Sequence, residues 1–435
     1  MNRREFIQSA GLAAIGLGAA ACAPRGGKDA APIEGQVIQH YPGTGLLGYG
    51  CMRWPEEEDA EGKKHILQEE VNRLVDDALA HGVNYFDTSP VYHDGDSERA
   101  TAVALCRHPR SEWQLATKLS IFRNVTYDDA VAMYHRSLDL FKTDYVDYYL
   151  LHSLKGADAL EERFIKTGVL DFLLKEREAG RIRKLGFSFH GSREGFDSLI
   201  ALHGKYHWDF VQIQMNYLDW KHAGRRNTNA DHMYAVLEEL DIPVVMMEPL
   251  RGGDLASLPA ALADRLKARR PEASIASWAF RFVGSFPKVL TVLSGMTYRE
   301  HLEDNLRTYI DFEPLSADEF ALLEEIAEQV SAYPKIRCTG CRYCMPCPYG
   351  INIPGLFKFY NSTVENDTYL ITPEQKDFER ARRRYLAEYD KAVQSRAQAD
   401  RCIACGQCVP LCPQHIPIPG EIHRIDRLIE ELRRG

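Results

Sequence analysis

Eight short runs rich in apolar and β-branched residues recur along most of the chain: Gly45–Cys51, Val83–Asp87, Gln114–Lys118, Val146–His152, Lys184–Phe189, Phe210–Met215, Pro243–Glu248 and Val289–Ser294. Stretches of helical periodicity lie between them. This alternation builds a parallel α/β fold, because each parallel strand needs a long crossover, usually helical, before the next. Eight such units predict a (β/α)8 TIM barrel. A doubly wound sheet would want a first turn of the type Gly-x-Gly-x-x-Gly opening a helix. Gly43–Gly50 is rich in glycine, but no helix start follows it at that spacing.

A second unit follows the barrel. Eight of the eleven cysteines fall in two runs, Cys338, Cys341, Cys344, Cys347 and Cys402, Cys405, Cys408, Cys412, each ending in Cys-Pro. Three thiolates from one tight loop can wrap three irons of a cubane while a distant fourth closes the last corner. Paired Cys-x-x-Cys also makes zinc sites, and cysteines make disulfides; two triple runs that each end in Cys-Pro argue against both. The pattern resembles that of bacterial two-cluster ferredoxins, in which the fourth cysteine of each run serves the other cluster. The resemblance implies two 4Fe-4S clusters, one on Cys338, Cys341, Cys344 and Cys412, the other on Cys402, Cys405, Cys408 and Cys347. One departure is that two residues, not three, separate Cys344 from Cys347.

The α-rich ferredoxin-like tail is therefore set at 333–435, after a predicted helix Ala317–Val330, and the barrel at 40–332. A further helix is predicted over Pro373–Lys391, between the cysteine runs. Its charges Arg380, Arg382, Arg383 and Arg384 read as a solvated face or as a surface docked on the barrel. From Tyr333 onward there are 16 Lys+Arg against 12 Asp+Glu, so the preceding residues carry −13 of a net −9. An acidic main body makes nucleic acid an unsuitable partner.

Residues 1–30 read as an export signal and linker. Asn2-Arg3-Arg4-Glu5-Phe6-Ile7 resembles the twin-arginine consensus, and an uncharged stretch from Ser9 to Ala21, too short to span a bilayer, precedes Cys22. That route exports folded proteins, which suits clusters inserted in the cytoplasm. The expected location is periplasmic, by cleavage or as a lipoprotein anchored to the membrane through Cys22.

Functional groups of a barrel belong at the C-terminal ends of its strands. There the sequence offers Asp87 and Tyr92 after the second run, Lys118 at the third and His152 at the fourth: an acid, a phenol, an amine and an imidazole on one rim. In this setting the stretch from Thr44 to Asn305 resembles the aldo-keto reductase family. Asp144-Tyr145-Val146-Asp147 ahead of Leu150-Leu151-His152 looks like its fourth-strand signature, and Leu185-Gly186-Phe187-Ser188 like its fifth. The resemblance implies Tyr92 as proton donor, Lys118 as the cation that tunes it, Asp87 as the partner of Lys118, and His152 as the group orienting the substrate oxygen. It also implies a nicotinamide cofactor, NADP or NAD. Gln212 and Ser188 match contacts to the carboxamide, Met247 stands where an aromatic usually stacks on the ring, and Pro249, Leu250 and Gly252 follow it. Ser294, Gly295, Arg299 and Asn305 fall where the adenosine half binds. Phe189 replaces a usual Asn and is followed by His190; Gly295, Met296 and His301 stand in place of the usual 2′-phosphate contacts.

Two functions follow. One is an exported oxidoreductase interconverting a small carbonyl compound and an alcohol, with sugars among the candidates. The other is a nicotinamide-loaded electron-transfer or binding subunit without turnover. A nicotinamide passes two electrons as hydride and a cluster passes one, and the sequence has no recognisable flavin site to convert between them. The clusters are therefore expected either to staple the tail or to accept electrons from a partner protein.

Overall fold

The computed structural model describes residues 33–60, 63–122, 125–223, 229–332, 335–365, 368–369 and 377–434. The export segment, Cys22 and the start of the predicted helix at Pro373 lie outside the described residues.

Eight parallel strands close into a barrel: β1 (Leu47–Gly50), β2 (Tyr85–Asp87), β3 (Gln114–Leu119), β4 (Val146–Leu154), β5 (Ile182–Phe189), β6 (Phe210–Gln214), β7 (Val244–Met247) and β8 (Val289–Ser294). Each pairs with its neighbours in sequence, and β1 closes the ring by pairing with β8 on one side and β2 on the other. All eight expected runs are strands, and the differences are at their ends. Val83 is lost from β2 because its N–H caps the preceding helix at the Ala78 carbonyl, and Cys51 is lost from β1 because it opens a single turn of 3-10 helix.

Apolar side chains pack on both faces of the sheet. Inside the barrel, Tyr85, Ala116, Leu150, Phe210, Val245, Leu290 and Leu293 fill the axis. Outside it, a continuous core joins strands to helices through residues such as Leu115, Leu151, Phe187, Ile213 and Trp278. Strands buried on both faces read as continuous apolar runs, which is why they stand out in the sequence.

An antiparallel hairpin, Glu56–Glu58 with Lys64–Ile66, was not expected. Its strands carry no apolar alternation, and charge pairs at its edge, Lys64 with Glu56 and His65 with Asp59, accompany the backbone ladder.

The tail builds its own small core from three helices, Ile353–Glu365, Phe378–Ala392 and Ile418–Arg434, with Leu356, Phe357, Tyr389, Ile422, Ile425 and Ile429 at its centre. The predicted helix Ala317–Val330 is observed over Ala317–Ala332. Arg380 pairs with Asp377 at the start of their helix, and Arg382 and Arg384 pair with Glu379 and Glu388 within it, so these three charges serve the tail itself and not docking on the barrel.

Barrel and tail form one compact unit, and the tail lies over the C-terminal ends of the strands. Arg53 donates to the Thr339 carbonyl at 2.6 Å, Arg337 to the His222 carbonyl at 2.7 Å and Lys155 to the Pro410 carbonyl at 3.0 Å. The Gln214 and Gln414 amides pair with each other. Gly252 is required beneath this contact: at φ 68°, a Cβ there would lie 2.6 Å from Thr339 Cα.

Candidate active site

Three neighbouring strands bring the four expected groups together. Asp87 ends β2, Tyr92 follows it in a short turn, Lys118 lies near the end of β3, and His152 stands where β4 bulges. The bulge has a local cause: register is lost between Leu151 and Leu154, with Ser153 at φ 55°. Arg163 supports the turn by donating to the carbonyls of Ile121, His152 and Ser153.

All four side chains are buried. Lys118 Nζ donates to Asp87 Oδ1 at 2.6 Å and to the Thr88 carbonyl at 2.8 Å, and it lies 4.8 Å from the centre of the Tyr92 ring. Asp87 Oδ2 has no hydrogen-bond partner among the described residues. Burial pushes the Asp87 carboxyl up, and Lys118 opposes the shift. The Tyr92 phenol is raised well above 10, first by burial and then by its neighbours Tyr343 and Asp87. In this arrangement Tyr92 therefore holds its proton firmly, and Lys118 acts on the ring face as a cation.

His152 is lowered well below 6.5, first by burial and then by Lys118, so its imidazole is neutral. Ser120 Oγ lies 2.6 Å from Nδ1 and Ser89 Oγ 3.4 Å from it. If Ser120 gives its proton to Nδ1, the imidazole hydrogen stands at Nε2. The ring of Tyr92 meets that of His152 edge-on at 6.0 Å.

A cleft of about 1340 Å³ opens over this group, between the barrel loops and both cysteine loops. Its lining includes Tyr92, Ser120, Phe122, Lys155, Tyr343 and Tyr298.

The expected cofactor residues are distributed along the same rim. Ser188 and Gln212 are buried; Ser188 Oγ accepts from the Ser153 N–H, and Gln212 Nε2 reaches Met247 Sδ at 3.7 Å. Gln212 Oε1 is buried without a partner among the described residues, as suits an oxygen meant for an amide donor such as a carboxamide N–H. Pro249 is buried, Leu250 packs against the outer core, and Gly252 lies beneath Thr339. Asn305 Nδ2 donates to Ser294 Oγ at 2.9 Å, Gly295 lies beneath the stem of Arg53, and Arg299 pairs with Glu303 and Asp77.

The thiols sort into the two expected quartets. Cys338, Cys341, Cys344 and Cys412 are electrostatic neighbours of one another, and Cys408 has Cys405, Cys347 and Cys402 as its neighbours. No two of the described cysteines are joined by a disulfide. Among the described residues no His, Cys, Asp or Glu group is compact enough to hold a single ion, so the quartets are neighbours and not closed shells. Their composition suits two cubanes, each corner iron taking one thiolate.

Tyr343 is the contact that the sequence did not reveal. It lies between Cys341 and Cys344, yet its hydroxyl comes within 3.4 Å of His152 Nε2 and within hydrogen-bonding reach of Tyr92. No periodicity or spacing connects it to the barrel, 191 residues away from His152 in sequence.

The sequence model of the Aldo/keto reductase family matches residues 46–328. The chain belongs to that family. The model of the 4Fe-4S dicluster domain matches residues 337–416, which places a ferredoxin-like domain behind the reductase barrel. The methylglyoxal reductase of Salmonella typhi is 32% identical over 128 residues, 29% of this chain and 45% of that protein; the chain spans less than half the length of the first curated relatives it matches. Among solved structures, an aldo-keto reductase from Bacillus halodurans in its holo form aligns at TM-score 0.52 and 20% identity, covering 67% of this chain and 96% of that one. One from Klebsiella pneumoniae in complex with NADP and acetate aligns at 0.51 and 21%, covering 65% and 92%. At such identity the likeness is one of fold.

Proposed function

We propose that this aldo/keto reductase is an NADP-linked enzyme that interconverts a small carbonyl compound and its alcohol at the barrel mouth. The observation that carries the reading is the gathering of Asp87, Tyr92, Lys118 and His152 into one buried group beneath the cleft. Tyr92 keeps its proton until negative charge develops on the substrate oxygen, which is when a general acid is needed. Neutral His152 offers an N–H to the same oxygen and fixes its position. Lys118, balanced by Asp87, stabilises the phenolate left after transfer.

The nicotinamide supplies the hydride when bound. Gln212 and Ser188 would hold its carboxamide, Met247 would pack on its ring, and Pro249, Leu250 and Gly252 would border the pyrophosphate. Ser294, Gly295, Arg299 and Asn305 would take the adenosine half. The NADP-bound Klebsiella structure favours NADP; NAD would share every contact except those to the 2′-phosphate. The name of the Salmonella relative favours a small carbonyl such as methylglyoxal, and the polar lining of Glu56, Ser120 and Lys155 also suits a sugar. The two clusters lie outside this hydride path, as holders of the loops above the cleft; a redox partner protein would dock on the tail. Tyr92→Phe is expected to lower kcat by about a hundred- to ten-thousandfold with NADP affinity unchanged. An unchanged kcat would refute the reading.

Residues 1–30 we assign to twin-arginine export into the periplasm, with cleavage or a lipid anchor at Cys22; the Asn2–Ile7 motif and the need to insert clusters before export support this. Replacing Arg3 and Arg4 by lysine should confine the protein to the cytoplasmic fraction. Continued periplasmic recovery would sink the assignment.

A further inference from the structure

A substrate oxygen, to be reduced in the way proposed, must lie between the Tyr92 hydroxyl and His152 Nε2. That position is already filled by a side chain of this molecule. The Tyr343 hydroxyl lies 3.4 Å from His152 Nε2 and is a side-chain hydrogen-bond neighbour of Tyr92, and its ring stands edge-on to the imidazole at 6.3 Å. Three aromatic rings thus surround His152: Tyr92 at 6.0 Å, Tyr343 at 6.3 Å and Phe122 at 5.1 Å.

The position of Tyr343 is set by its loop. Arg53 holds the Thr339 carbonyl, Gly340 and Arg342 have φ of 67° and 64°, and the Met345 N–H donates to the Arg342 carbonyl. Cys341 and Cys344, assigned to the same cluster, flank the tyrosine. The backbone is fixed at both ends, which leaves the side chain as the part that can turn. Phe122, 41% exposed and 6.4 Å from the Tyr343 ring, offers an apolar surface on the cleft side to receive it.

We propose that Tyr343, presented by the first cysteine loop, competes with substrate for the proposed reductase centre: its hydroxyl takes the place of the reacting oxygen between Tyr92 and His152, and a substrate binds by displacing it. The tail thereby sets the apparent affinity of the barrel for its substrate. A ligand must exchange the hydrogen bonds of Tyr343 for its own, so only the difference between them appears as binding. Small, strongly accepting oxygens are favoured over weak acceptors. The inference rests on the carbonyl-reduction reading for its reaction, but not for its binding test.

The test uses the full chain with its clusters assembled and NADP present, and acetate as the probe, since a carboxylate offers an oxygen to Tyr92 and His152 and is not reduced. Calorimetry should show acetate bound roughly three- to thirtyfold more tightly by Tyr343→Phe than by wild type, from the loss of one or two competing hydrogen bonds. KM for methylglyoxal should fall in the same proportion, with kcat within about threefold of wild type. Tyr343→Leu, which also removes the ring, should move both in the same direction at equal iron content, and guards against a local fault in either variant. Unchanged or weaker acetate binding in both variants overturns the proposal, because the hydroxyl would then be absent from the oxygen position or would help to hold the ligand. Turnover surviving in Tyr92→Phe would sink the reductase reading instead, while the acetate titration would still decide the place of Tyr343.

Discussion

The barrel and the tail meet at one cleft but are held together differently. The barrel has two nested apolar cores joined by strands hydrogen-bonded on both edges, and the groups proposed for catalysis stand at the ends of those strands. The tail has a single helical core, and its cysteine loops carry neither a strand nor an α-helix. Those loops touch the barrel through side chains and carbonyls, and Cys405 is exposed. In the proposed reading a rigid scaffold supplies the acid–base chemistry, while a part expected to depend on metal binding and docking covers it. The cleft between them is lined by residues of both.

Four substitutions can break or sharpen this contrast. Phe210→Ala, within the barrel axis, should have the largest effect, destabilising the barrel by about 3–5 kcal/mol in denaturant titration. The same experiment on Ile425→Ala should cost about 2–5 kcal/mol, but with iron released in the affected transition and the barrel transition left in place. A single shared transition would show that the two parts do not melt separately. Gly252→Ala comes next: a Cβ held at positive φ against Thr339 should cost about 1–3 kcal/mol, seen as faster hydrogen exchange over residues 335–345 with the barrel strands unchanged.

Glu319 should have the smallest effect. Arg270 and the Ser316 N–H hold its carboxylate down at about 2, below its ordinary 4.5. Its folded-state pKa is depressed, so its contribution is complete above about pH 4.5 and is lost as pH falls towards 2. Glu319→Gln should lower stability by about 1–2 kcal/mol at neutral pH and flatten the acid side of the profile over that window. An equal loss at pH 7 and pH 2 would mean that packing, not charge, is what the carboxylate supplies.

His152 is a base where Glu319 is an acid, and its shift keeps it uncharged. A neutral, buried imidazole with a lowered pKa should give a kcat/KM profile without an inflection near pH 6.5.

Much of this contrast can be read in the sequence, for physical reasons. Parallel strands buried on both faces appear as unbroken apolar runs, so all eight are found, with errors only at their ends: Val83 and Cys51 are lost to a helix cap and a turn, while the strands at Val146 and Lys184 run two residues further, to Leu154 and back to Ile182. Asp87, Tyr92, Lys118 and His152 are legible because strand ends mark the reactive face of a barrel. The cysteine quartets follow from resemblance and agree with the neighbours observed. The hairpin at Glu56–Glu58 is hidden because its pairing depends on charge and backbone, without alternation. Ser120, Arg163 and above all Tyr343 are hidden because their roles arise from contacts made only once distant segments pack.

The central claim is that hydride passes within the barrel and that the clusters stand outside its path. The direct measurement is single-turnover reduction of methylglyoxal by the cluster-loaded protein, using NADPH deuterated at the transferring position. The expected result is deuterium retained at the carbinol carbon of the product, in wild type and Tyr343→Phe alike. A product carrying solvent hydrogen at that carbon would show that electrons leave the nicotinamide by another route, and would contradict the account.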